Sequence, residues 1–180
     1  LGDPAGEISR LALELPASMI LMSTHGRNGL DHIREGSVAE QVVRQSPCPV
    51  FVLHATEQTV NEQKGPLFRR MLVPLDGSEV SSSILPCVRK LAGMFDSEVV
   101  LFHDDLEHDE AQTAKILREN IEAVGVDLAN EGISVKLDYS THQRPAHEIV
   151  ERAQELDIDL LAMDTHGEGG KRRALDDSVT

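Results

Sequence analysis

Aromatic residues are scarce: four phenylalanines, one tyrosine and no tryptophan make up 3% of 180 residues. Bases therefore have almost nothing to stack on. Positive charge is also in short supply, with 17 lysines and arginines against 31 aspartates and glutamates and a formal net charge of -14. Such a surface repels a phosphate backbone, so nucleic acid is excluded as a partner. Cysteine is limited to Cys48 and Cys87, which form neither a CxxC pair nor part of a metal-ligand set; a reducing, cytoplasmic setting is the expectation. Long apolar runs are missing too. Pro49 to Leu53 and Asp159 to Met163 are strand-sized, well below the roughly 20 residues of a membrane helix, so no membrane is expected as a partner. The N-terminus shows no basic stretch followed by an apolar one, so no secretory signal is visible.

What the chain does have is 40% hydrophobic and 27% charged residues, enough apolar side chain for a real core. It also repeats itself. Shifted by 141 residues, Pro4 to Val38 aligns with Pro145 to Val179 without a gap, and 14 of the 35 pairs are identical. Chance would give about two. The shared positions include Met22, Thr24, His25 and Gly26 against Met163, Thr165, His166 and Gly167, and end on Ser37 and Val38 against Ser178 and Val179. A period of this size matches a domain, not a solenoid repeat. The expectation is a tandem repeat: residues 1–54 are the C-terminal part of a first unit, 55–68 a polar linker, and 69–180 a second unit lacking its last strand. The chain then reads as a piece of a longer tandem protein, cut at both ends.

Along the chain, strands alternate with helices. Pro4 opens a helix at a position where its missing N–H costs nothing, and Ile8, Leu11, Ala12 and Leu15 then mark one buried face. A strand over Ser18 to Met22 leads into a glycine-bearing loop, and Ser37 with Glu40 forms a capping box that starts the next helix. Pro49 to His54 is a strand. In the second unit, strands are expected over Arg70 to Leu75, Glu98 to Phe102, Ile133 to Tyr139 and Asp159 to Met163. Helices fall over Ser82 to Met94, around Leu117 to Leu128, and over Pro145 to Leu156. Mostly apolar strands alternating with helices imply an α/β fold, an open doubly wound parallel sheet of Rossmann-like type, in two units. Ligands of such sheets sit beyond the carboxyl ends of the strands, where the strand order reverses.

The segment Ser23 to Ser37 runs from strand through glycine-containing loop to helix N-terminus, an arrangement that favours an anion. Gly26 and Gly36 allow close approach of the backbone, and the Ser37 hydroxyl can donate. From spacing alone, a tight turn and a capped helix with no ligand explain the same residues equally well.

The stretch "STHGRNGLDHIREGSVAEQVVRQSPCPVFVL" resembles the end of a universal stress protein domain, and "RRMLVPLDGSE" resembles the start of one. The resemblance spans nearly the whole chain outside the linker and implies a tandem-domain member with an adenine nucleotide alpha hydrolase-like fold. In ATP-binding members the loop reads G-x2-G-x9-G-S; here it reads Ser23-x2-Gly26-x9-Gly36-Ser37, with serine in place of the first glycine. The resemblance implies that Gly26, Gly36 and Ser37 hold phosphates, that Pro74 and Asp76 contact the adenosine end, and that Met22 and Val38 line the pocket. The second loop departs further: after Met163 it reads Asp164-x2-Gly167-x9-Asp177-Ser178. Two carboxylates where phosphate oxygens belong cost on the order of several kcal/mol, so this loop is read as degenerate.

The function implied is a stress-response module that binds an adenine nucleotide, ATP with or without Mg2+, and forms homodimers through exposed sheet edges. The alternative is a dimerisation or interaction module whose loops no longer bind nucleotide. No catalytic constellation is visible, and hydrolysis of ATP is expected to be weak at most. Ser78, Ser81, Ser82 and Ser83 read as turn and cap residues without a G-x-S-x-G elbow. The run His103, Asp104, Asp105, Glu107 and His108 reads as a solvated acidic loop, because it meets no metal-ligand spacing.

Overall fold

The computed structural model describes residues 2–15, 19–24, 37–54, 67–105, 111–141 and 144–164. The chain separates into two compact units, Leu1–Lys64 and Gly65–Val179.

The first unit contains α1 (Pro4–Glu14), β1 (Ile20–Thr24), α2 (Val38–Gln45) and β2 (Val50–His54). Asp3 caps α1, its carboxylate accepting from the Gly6 amide at 3.1 Å, and Pro4 takes the first helical position. Arg10 braces the exposed side through Glu7 and Glu14. β1 and β2 pair in parallel, with Ile20 opposite Val50 and Met22 opposite Val52. The two helices pack on each other. Here the expected apolar face of α1 needs correcting. Ala5 and Ala12 are the buried residues, whereas Leu11 and Leu15 are 47% and 64% exposed. The two alanines lie seven positions apart on one stripe, and small side chains let helices approach closely; the helix is therefore rotated away from the stripe that its leucines suggest.

The second unit contains β3 (Arg70–Pro74), a 3-10 turn at Ser81–Ile84, α3 (Leu85–Phe95), β4 (Glu98–Asp104), α4 (Ala111–Asn130), β5 (Ser134–Ser140), α5 (Pro145–Glu155) and β6 (Leu160–Leu161). The four strands form one parallel sheet in the order β5-β4-β3-β6. Alternation sorts their side chains to two faces. Met71, Val73, Leu75, Val99 and Leu101 join Leu85 and Val88 of α3 with Ile121 and Leu128 of α4 in the larger core. Leu72, Val100 and Phe102 meet Ile149 of α5 in the smaller one. Helices thus cover both faces, as a doubly wound sheet requires. The last strand is shorter than the sequence suggests: only Leu160–Leu161 are strand, although the Ala162 amide still donates to the Leu72 carbonyl at 2.9 Å.

At the amino end of this sheet, charged groups fasten neighbouring segments together. The Arg70 amide donates to Asp159, its guanidinium donates to the Leu156 carbonyl at 2.8 Å, and Lys136 pairs with Glu98 at 2.9 Å. The amino end is thereby occupied by structural contacts. No helix among the described residues is long and apolar enough to cross a membrane.

Candidate functional site

Within the second unit, β3 and β4 are consecutive strands that lead outward to β5, whereas the chain returns to the opposite side of β3 to form β6. The strand order therefore reverses between β3 and β6. A crevice is expected beyond the carboxyl ends of these two strands. Pro74 is the last residue of β3, and Asp76 follows two positions later. Met163 and Asp164 leave β6 on the other side of the reversal.

Asp76 is built for charge. Its Oδ1 accepts from the Ser78 amide at 2.9 Å, a local turn made possible by Gly77 at φ +81°. Partial burial pushes the Asp76 carboxyl up, but the Ser78 and Ser81 hydroxyls and the amides of Ser78 and Asp76 outweigh it. The net result is a carboxyl held below its usual value, hence an exposed, ionised acceptor. The serines that follow are turn and cap residues as read from the sequence: Ser81 donates its amide to Ser78 Oγ at 3.1 Å, and Ser82 Oγ donates to the Ser78 carbonyl at 3.0 Å. Ser83 has a further role that spacing could not reveal. Its hydroxyl donates to Asp164 Oδ2 at 2.6 Å across 81 residues of sequence, tying the 3-10 turn to the end of β6.

In the first unit, Met22 and Ser23 lie in β1, with Met22 half-buried and Ser23 exposed. Ser37 caps α2, its Oγ accepting from the Glu40 amide at 3.1 Å. Because accepting uses a lone pair, the hydroxyl hydrogen remains to donate. Val38, the first residue of α2, is 39% exposed. Strand, intervening segment and helix N-terminus thus follow in the expected order. Gly26, Gly36, Gly167, Asp177 and Ser178 lie outside the described residues, as do Glu107 and His108.

The expected solvated acidic loop is overturned where it can be seen. His103 and Asp104 belong to β4, and His103 and Asp105 are only 3% and 5% exposed. Burial of such groups demands partners, and they have them. His103 Nδ1 lies 2.7 Å from the Leu75 carbonyl, and Nε2 lies 3.2 Å from Asp105 Oδ1. Arg118 of α4 donates from Nε to Asp105 Oδ2 at 2.9 Å and from Nη2 to the same oxygen. Its guanidinium also stands 5.1 Å from the centre of the Tyr139 ring, a cation–π contact. The hydrogen bonds it donates to Asp105 hold the Arg118 guanidinium above its usual value, and burial pushes the Tyr139 phenol up. The cluster lies beside the carboxyl end of β3. The only sequence signal for it is a histidine one residue beyond an unbroken apolar run in β4.

Comparisons with known proteins agree on one family. The model of the universal stress protein family matches residues 1–54 and 67–180. Universal stress protein MJ0531 of Methanocaldococcus jannaschii is 46% identical over 52 residues, which are 29% of this chain and 31% of that protein. The crystal structure of a universal stress protein from Archaeoglobus fulgidus superposes with a TM-score of 0.65 at 23% identity, covering 88% of this chain and 52% of that one. At that identity the likeness supports the fold. The matched stretch spans about a third of the curated relative and half of the solved one.

Proposed function

Because the chain belongs to the universal stress protein family, we propose that it is a stress-response module that binds an adenine nucleotide. The observation that carries the proposal is the placement of Asp76. An ionised carboxylate stands at the carboxyl end of β3, at the point where the strand order reverses, with Pro74 just before it. A carboxylate there suits the hydroxyl groups of a ribose, which can donate two hydrogen bonds to it. Met163 and Asp164 follow β6 and begin the loop read as degenerate for phosphates, and the bond from Ser83 ties the Asp164 carboxylate to the 3-10 turn. In the first unit, Ser37 and Val38 at the α2 N-terminus and Met22 and Ser23 of β1 flank the sequence segment that carries Gly26 and Gly36, to which the family resemblance assigns phosphates, ATP with or without Mg2+ being the ligand class. Hydrolysis is weak at most, and copies of the chain associate as homo-oligomers.

A second reading has its own support. Asp164 stands where the loop of the ATP-binding members has glycine, and Leu21 and Leu53 of the first unit are 74% and 50% exposed, which favours an interaction module without nucleotide. Isothermal titration calorimetry with ATP, with and without magnesium, separates the two. Saturable heat that Asp76→Ala or Gly36→Asp weakens supports nucleotide binding in the unit that carries the substitution. Absence of heat at high protein concentration supports the interaction module and removes the first reading.

A further inference from the structure

We propose that His103 is a positioning residue that sets the direction of Asp76 through the Leu75 carbonyl, a role that rests on the nucleotide-binding reading above. Leu75 lies just past the last ladder pair, Pro74 opposite Phe102. Its amide still donates to the Phe102 carbonyl at 2.9 Å, but its own carbonyl is met by a side chain, His103 Nδ1, at 2.7 Å. A carbonyl can only accept, so Nδ1 carries the hydrogen. The peptide unit is planar, and the Leu75 carbonyl shares its plane with the nitrogen and Cα of Asp76. Holding that carbonyl therefore holds the plane from which the Asp76 side chain departs. Leu75 is clamped from both sides by consecutive residues of β4, and the Asp76–Ser78 turn begins from a fixed direction.

The imidazole is itself held. Asp105 Oδ1 faces Nε2 at 3.2 Å, Arg118 of α4 fixes the other oxygen of Asp105, and the Tyr139 ring of β5 stands edge-on to His103 with centroids 6.4 Å apart. Neither Nε2 nor Oδ1 makes a hydrogen bond among the described residues, so the ring is held by its Nδ1 bond to the Leu75 carbonyl and by its edge-on packing against Tyr139. Contacts from β5 thus reach, through the His103 imidazole, the strand end that carries Asp76. His103 and Asp105 are buried, so they act on Asp76 through the backbone.

The two conservative replacements of histidine separate this role from simple filling of space. An asparagine amide nitrogen falls where Nδ1 stands, whereas a glutamine amide nitrogen falls nearer Nε2. The prediction is that His103→Asn keeps the bond to the Leu75 carbonyl and His103→Gln loses it. Amide hydrogen exchange in the ligand-free chain reads this directly at Leu75 and Ser78: about tenfold faster exchange is expected in His103→Gln and in His103→Phe, with His103→Asn near the wild type. ATP affinity by calorimetry is expected to follow the same order, with thermal stability of the Asn and Gln variants alike. Equal exchange in the Asn and Gln variants would overturn the proposal. Should the wild type bind no ATP, the nucleotide reading fails by itself, and the exchange pattern still decides whether His103 governs the turn.

Discussion

Gly77→Ala is expected to destabilise the second unit by about 2–5 kcal/mol, and two separable effects make up that figure. Gly77 sits at φ +81°, where an L side chain costs about 1–2 kcal/mol. An added Cβ would also stand 2.5 Å from Leu117 Cδ2, 3.1 Å from Leu117 Cβ and 3.3 Å from Leu117 Cα. The first contact can be relieved by moving a side-chain tip, but the last belongs to the backbone of α4. Forcing atoms into so close a contact typically costs about 1–3 kcal/mol. Urea unfolding followed by tyrosine fluorescence is the assay, since Tyr139 is the sole tyrosine, there is no tryptophan, and the signal reports the second unit. In a Leu117→Ala background the clash with Cδ2 disappears while the strain at φ remains. The cost of Gly77→Ala should then fall toward, but stay above, the about 1–2 kcal/mol of the strain alone, because the contacts with Leu117 Cβ and Cα remain, and the double-mutant cycle should show the difference as coupling. A Gly77→Ala variant within about 0.5 kcal/mol of the wild type would refute the reasoning, because surface substitutions without strain or contact fall in that range.

Three further predictions follow from particular contacts. Ser37→Ala removes the cap of α2 and should cost about 1 kcal/mol in the first unit, read as faster exchange of the Glu40 amide; unchanged exchange there would deny the cap. Leu101→Ala, at a fully buried position in the larger core, should cost about 2–5 kcal/mol by urea unfolding at Tyr139, and a loss under 1 kcal/mol would mean the core collapses around the site. The folded-state pKa of Asp76 is depressed, so its stabilising contribution is fully present above the ordinary carboxylate value and is lost as pH falls through the lowered one. Asp76→Asn should therefore flatten the acid limb of stability against pH relative to wild type, and superimposable acid limbs would contradict the assignment.

The parts of this molecule that were legible in sequence were those written in one short segment. The turn residue Ser78 and the serine cap at Ser37 depend on residues two or three positions apart, and both are present, Ser78 donating its amide to Asp76 and Ser37 accepting from the Glu40 amide. The parallel sheet followed from apolar strands alternating with helices, and the reversal between β3 and β6 is where such a sheet holds ligands. The illegible parts depend on register. His103 meets Leu75 only because Pro74 pairs with Phe102, and Ser83 meets Asp164 only because β6 lies beside β3. Nothing in the run from His103 to Asp105 distinguishes a buried network from a wet loop until its arginine partner, thirteen residues from Asp105 on another element, is placed. The face of α1 was only partly legible for a different reason: Ala12 is buried as expected, but alanine adds little to an apolar pattern, so Ala5 gave no signal and Leu11 and Leu15 pointed to the wrong stripe.

Asp76, at the carboxyl end of β3 where the strand order reverses, is proposed to receive the adenosine end of an adenine nucleotide. Two-dimensional amide NMR of the intact chain during titration with ATP tests it most directly, because it reports where binding occurs as well as whether it does. Saturable shifts are expected at Leu75, Asp76 and Ser78, with binding weakened by about tenfold or more in Asp76→Ala, the loss of a hydrogen bond to a charged group. Shifts confined to other segments, or no shifts at saturating ATP, would contradict it.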